Sequence, residues 1–249
     1  MFSDVPELAW LTSRPVAHRG LYDDEQGRPE NSLPAFEHAA SRGVPFEFDV
    51  QLTSDGQPVV LHDADVAAIT GTATGVHELD ARAVGALRLP GDQPVPTLDQ
   101  VLELVDGRVP MVVDVRRWGL RHSPGLERAV ADRLRGYRGE AVVQSFDPFA
   151  LRRLRRLLPG LGVGQASGSL RSVSPVVRAV GRTMVTNAFT RPDFLTYELT
   201  ELPDRFVSFW RNGKRPVIAY TAHSPAEEAT ARRLADGFFF SGYLPEVYR

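Results

Sequence analysis

Seven residues, 45–51, restrict the fold more than any others: along an extended segment Phe46, Phe48 and Val50 face one way, and Glu47, Asp49 and Gln51 face the other. An oily face opposite an acidic one is ordinary in an antiparallel sheet with one wet side. Here the segment lies among strand–helix units, whose parallel strands are covered on both faces. The acidic face must therefore line a polar cavity.

The neighbouring segments support that setting. A strand is expected at 16–19, followed by a helix with Ser32 as N-cap, Pro34 just inside, and Arg42-Gly43 at its end. Thr53-Ser54-Asp55-Gly56 is too tight for a parallel crossover, so 58–61 should run back antiparallel and leave His62 on a hairpin arm. Residues 64–96 are punctuated by Gly71, Gly75, Pro90, Gly91, Pro94 and Pro96, with a short helix at 79–87; they form an insertion expected to overhang the cavity mouth. A helix capped by Thr97 runs to 105, and a third strand at 110–115 puts Asp114 and Arg116 on the face opposite Val113 and Val115.

Beyond it, strands at 141–145, 161–165, 194–198, 216–221 and 238–241 alternate with helices at 148–158, 170–181, 204–212 and 225–235. A short helix at 4–11 should cap the start of the chain. The count of about eight parallel strands predicts an α/β fold, a TIM (β/α)8 barrel formed as one domain over residues 1–249, with the hairpin and the 64–96 insertion after the second strand. The alternative, an open doubly wound sheet, lacks a Gly-rich phosphate loop after its first strand.

Glu47 and Asp49 project to the same side, close enough to share a cation, and Asp114 on the adjoining strand can supply a third oxygen ligand. Solvated surface acids would be the bland explanation, but like carboxylates inside a barrel need a counter-charge. All-oxygen ligation favours magnesium or calcium over zinc. The chain has no cysteine, which removes thiolate ligands, thiolate nucleophiles and disulfides.

His18 and His62 end two strands at the same mouth. With ordinary pKa values near 6.5 they can divide the roles of base and acid, and Asp63 or Glu30 can orient one ring. Arg19 and Arg116 supply fixed positive charge that suits a phosphate oxyanion. His38, His77, His122 and His223 have no such context and are expected at the surface.

A formal charge of −2 and a pI near 6.3 provide no bulk attraction to nucleic acid. The first residues lack the basic end and apolar core of a signal peptide, and no run approaches the ~18 apolar residues of a membrane span, so a cytoplasmic protein is expected.

Taken in order and spacing, His18-Arg19-Gly20, Pro29-Glu30-Asn31-Ser32, Glu47-Phe48-Asp49-Val50, Thr53-Ser54-Asp55-Gly56 and Val59-Val60-Leu61-His62-Asp63 resemble the glycerophosphodiester phosphodiesterases, metal-dependent βα barrels related to phosphatidylinositol-specific phospholipases C. Weaker likeness continues through Pro96-Thr97-Leu98, Ser145-Phe146-Asp147 and 217–221. The resemblance implies that Glu47, Asp49 and Asp114 bind a divalent ion, His18 and His62 are acid/base catalysts, Arg19 and Arg116 hold phosphate, and Glu30 and Asn31 shape the metal's surroundings. It also implies a small glycerophosphodiester substrate, cleaved to sn-glycerol 3-phosphate and an alcohol.

The chain departs from the family pattern at three places. Asp114 and Arg116 stand where Glu and Lys are usual, Tyr220 where tryptophan is usual, and Ser241-Gly242 where the last strand often carries an acid. Two other functions fit the same residues. A lysophospholipase D would use Trp118, Phe146, Phe149 and Tyr220 as an apolar landing surface with transient lipid contact, whereas a barrel without turnover would only bind a phosphodiester.

Overall fold

In a computed structural model, residues 8–117, 125–170, 174–211 and 215–249 are described. The strands are β1 (Val16–Ala17), β2 (Phe46–Leu52), β3 (Pro58–Val60), β4 (Arg88–Leu89), β5 (Gln93–Pro94), β6 (Met111–Val115), β7 (Ala141–Ser145), β8 (Gly162–Ser167), β9 (Phe194–Glu198), β10 (Val217–Ala222) and β11 (Gly237–Phe240). Eight of them follow one another in the order β1, β11, β10, β9, β8, β7, β6, β2, and β1 pairs in turn with β2, so the parallel sheet closes into the expected barrel. β3 lies antiparallel on the end of β2, as the tight turn at Asp55-Gly56 required.

The alternation of β2 becomes an inside and an outside. Phe46, Phe48 and Val50 pack under the surrounding helices with Phe36, Leu98 and Val101. Below the polar layer, Val16, Val112, Val142, Phe194, Ile218 and Phe239 fill the barrel, and Trp10 and Leu11 of the helix Ala9–Ser13 join them. That helix falls later than expected, and residues 4–7 of the expected span lie outside the described residues. An apolar floor thus supports a polar mouth.

Capping sets the helix starts. Ser32 accepts from the Ala35 amide ahead of Leu33–Ser41, and Thr97 with Gln100 forms a capping box ahead of Leu98–Val105. The helix Leu126–Leu134 was not expected from the sequence, because Gly125 precedes it with no side-chain cap. The helix expected at 170–181 is observed as Pro175–Thr183, with 171–173 outside the described residues, and that at 204–212 as Arg205–Arg211, with Asn212 outside them.

The 64–96 insertion forms a small layer of its own, with Val66, Val76, Val84, Leu89 and Val95 packed on Val59 and Leu61. Among the described residues no helix is long and apolar enough to cross a membrane.

Candidate active site

β2 and β6 run in register, Glu47 beside Val112 and Asp49 beside Asp114, so the three acids meet on the inner face of two adjacent strands. They offer ligand atoms within 4.8 Å of one another and are 1%, 2% and 3% exposed, too buried for solvated surface acids. Asp114 Oδ1 is buried with no hydrogen-bond partner among the described residues. A vacant oxygen donor beside two further carboxylates fits a hard divalent cation.

The loops after β1 and before Leu33–Ser41 brace this cluster. Arg19 takes a left-handed backbone, φ 59°, and its amide donates to Glu47 Oε2 at 3.0 Å. Its guanidinium donates to both oxygens of Glu30, at 2.7 and 2.8 Å, and lies 3.5 Å from Asp49 Oδ2. Glu30 therefore holds Arg19; of the two expected choices for orienting a ring, it is Asp63 that meets a histidine among the described residues. Asn31 donates to Asp49 Oδ2 at 2.9 Å. Gly20, φ 86°, admits no side chain, since a Cβ there would stand 2.9 Å from Phe36 Cδ1.

His62 lies beyond β3, its Nδ1 2.8 Å from Asp63 Oδ1 and its Nε2 against Arg116 Nη2. A guanidinium can only donate, so Nε2 accepts and Nδ1 carries the proton that Asp63 receives. Arg116 also reaches Asp49 Oδ1 at 3.3 Å and Asp114 Oδ2 at 3.8 Å, and stands 5.5 Å over the Phe146 ring. His18 Nε2 is 3.8 Å from Glu47 Oε2, with its ring stacked near Phe239.

Burial and crowding divide the acids. Burial, then Asp49 and Asp114, push Glu47 well above the carboxylate range, and burial lifts Asp114 to about 7 against the pull of Arg116. Burial would raise Asp49 too, but Arg116 and Arg19 outweigh it and hold its carboxyl low. Burial and Arg19 pull His18 down to about 3; burial lowers His62 as well, although Asp49 opposes it.

The sequence reading missed two glutamines. Gln51 donates to the carbonyls of Leu61 and Asp63, at 2.7 and 2.6 Å, and so fixes the backbone on both sides of His62. Gln144, the register partner of Asp114 on β7, donates to Asp114 Oδ2 at 3.2 Å and accepts from Thr196 at 2.8 Å. The alternation of β2 placed Gln51 on the acidic face; no pattern marked Gln144.

The acids, Arg19, Arg116 and both histidines open into one pocket of about 640 Å³. Its far wall is Glu198 at the end of β9, Leu199, Thr200 and Leu202 after it, and His223 and Glu227 after β10. No residue of 64–96 lines it, which corrects the expectation that the insertion overhangs the mouth: that segment buries its apolar residues against β3 instead. His223 is exposed, as expected, but it also lines the pocket, a context the sequence reading did not give it, with its Nδ1 3.0 Å from Ser241 Oγ. Its place directly after a barrel strand, like that of His18, was the available signal. His38 and His77 are half-buried away from the pocket, while Trp118 and His122 lie outside the described residues.

A model of the glycerophosphoryl diester phosphodiesterase family matches residues 18–240. The chain belongs to this family. A glycerophosphodiester phosphodiesterase of Caldanaerobacter subterraneus subsp. tengcongensis is 32% identical over 160 residues, 60% of this chain and 64% of that protein. The chain thus spans less than two thirds of the length of this relative. A probable glycerophosphodiester phosphodiesterase 1 of Mycobacterium tuberculosis is 33% identical, the match covering 68% of this chain and 70% of the other. Among solved structures, an Oleispira antarctica phosphodiesterase in complex with the product sn-glycerol-3-phosphate superposes with a TM-score of 0.72 at 20% identity, covering 91% of this chain and 92% of that one. This likeness bears on the fold, a closed barrel of the same kind.

Proposed function

We propose that the protein hydrolyses a glycerophosphodiester to sn-glycerol 3-phosphate and an alcohol. The observation that carries this reading is the buried Glu47, Asp49 and Asp114 triad opening, with Arg19, Arg116, His18 and His62, into one pocket. Family membership and the product bound to the Oleispira relative support it. Residues 1–249 act as one domain in this reading.

Glu47, Asp49 and Asp114 hold magnesium or calcium, which when bound offsets the negative charge of the phosphate. Arg19, braced by Glu30, and Arg116 bind phosphate oxygens. Asp63 keeps the proton of His62 on Nδ1, so a phosphate that draws Arg116 away exposes a basic Nε2 to the attacking water, whose oxygen bonds to phosphorus as the bond to the alcohol oxygen breaks. His18 then protonates the leaving oxygen. Burial and Arg19 keep it neutral beforehand, and the negative charge of the bound phosphate lets it take up a proton from solvent before the bond to the alcohol breaks.

The test is coupled detection of glycerol 3-phosphate from a panel of glycerophosphodiesters. Turnover should be lost in EDTA and restored by magnesium or calcium, and His18→Ala or His62→Ala should lower kcat by ~10²–10⁴-fold. Activity that survives either substitution, or EDTA, sinks this mechanism. A lipid diester is the second reading, favoured by Phe146, Leu199, Leu202 and Tyr220 in the pocket wall. Turnover of lysophosphatidylcholine well above that of glycerophosphocholine would reverse the order.

A further inference from the structure

Positive charge and exposed apolar side chains gather on one flank of the barrel. Residues 148–215 hold eleven arginines and one lysine against four acids, a sequence charge of +8 in a chain of −2; Arg153 and Arg211 pair with Glu127 and Asp236 of the neighbouring segments, which leaves this flank basic by a smaller margin. Six large apolar side chains stand exposed among the described residues, and five lie in this stretch: Phe149, Val180, Val185, Phe189 and Phe209, the last 70% exposed. Scattered singly they would need no explanation.

Phe149, Phe189 and Phe209 are not scattered. The helix Pro148–Leu157 buries Ala150, Leu151 and Leu154 and turns Arg152, Arg153 and Arg156 outward. Its Phe149 ring lies 6.4 Å from Phe189, and the Arg152 guanidinium stands 5.7 Å over that same ring. Next to Phe189, Asn187 and Arg191 share a groove of about 480 Å³ with Phe209 and Trp210 of the helix Arg205–Arg211. The Trp210 indole donates to the Thr183 carbonyl at 2.8 Å and ties in the helix Pro175–Thr183. The flank also adjoins the catalytic pocket, because Phe146 lines that pocket and Phe149 begins the next helix, and because Arg182 pairs at 2.8 Å with Glu201 in the 199–202 wall.

We propose that this flank docks the protein on an anionic lipid surface, with Phe149, Phe189 and Phe209 entering the headgroup boundary and the arginines meeting lipid phosphates. Apolar insertion and basic attraction each bind weakly, and together they hold. The rest of the chain is net acidic and is repelled by the same surface, so the charge distribution also orients the molecule. A twofold contact with a second copy is disfavoured, since it would set each basic flank against its own equal.

The test is sedimentation of the full chain with vesicles of phosphatidylcholine alone, or of phosphatidylcholine mixed with phosphatidylglycerol. It reads binding without turnover, so it stands or falls separately from the proposed reaction. The protein should pellet with the mixed vesicles only and be released by salt. The pair Phe149→Ser with Phe209→Ser should weaken partition by about tenfold or more, and Arg152→Glu with Arg156→Glu should abolish it, both at unchanged Tm. Absence of binding, equal binding to neutral vesicles, or variants that bind like the parent would overturn the proposal. So would concentration-dependent dimers in light scattering that the same variants dissolve.

Discussion

Asp49 and Asp114 face each other as register partners on adjacent parallel strands, and a single guanidinium, Arg116, reaches both, at 3.3 and 3.8 Å. Two like charges side by side in a buried layer disfavour the metal-free fold, whereas a divalent ion turns the same pairing into a stabilising one. The first two predictions follow from this opposition.

Asp114→Asn removes one carboxylate while keeping its shape. Metal-stripped protein should become more stable, and the Tm gain on adding magnesium or calcium should shrink, with metal affinity lower by at least about tenfold. Thermal scans with and without EDTA measure both; a variant that gains as much from metal as the parent removes Asp114 from the ligand set.

The same burial predicts a pH dependence for metal-stripped protein. Glu47 sits well above its ordinary pKa and Asp114 at about 7. A pKa raised by folding means that the native state binds more protons than the unfolded one, so stability falls as pH rises. The contribution is complete below the unfolded value near 4 and is lost through about 7 for Asp114. Below about pH 6.5 the lowered histidines His18 and His62 act in the opposite sense, because the unfolded state then binds their protons more readily, so in EDTA Tm should decline from about pH 6.5 to 8, and the gain from added metal should grow over that interval. A flat profile speaks against like-charge crowding.

Gln51→Ala frees the carbonyls of Leu61 and Asp63 that flank His62. Loss of these hydrogen bonds should cost about 1–3 kcal/mol of stability. Misplacing the ring should reduce kcat by ~10–100-fold with little change in KM. If KM rises while kcat holds, Gln51 serves substrate binding and not the position of His62.

Gly20→Ala meets two penalties at once, a left-handed backbone and a Cβ 2.9 Å from Phe36. Loss of about 1–3 kcal/mol is expected from urea midpoints, together with weaker activity, because Arg19 next door takes its position from this turn. Stability equal to the parent would mean that Phe36 can move aside.

The sequence by itself determined the barrel and named many of the side chains that line its pocket. Strand β2 carried the most information: its two-residue period placed Glu47, Asp49 and Gln51 on one face, and local physics alone decides that face. Ser32 and Thr97 marked helix starts in the same way, through side chains that cap amides a few residues on. The tertiary structure decided what depends on closure. That Glu30 restrains Arg19, that Gln144 supports Asp114, and that His223 belongs to the pocket while the 64–96 insertion does not are all set by which strands become neighbours and in what register. Such contacts join residues remote in the chain, and no local period records them. The acidic face of β2 predicted a cavity; only the closed sheet fixed which side chains complete it.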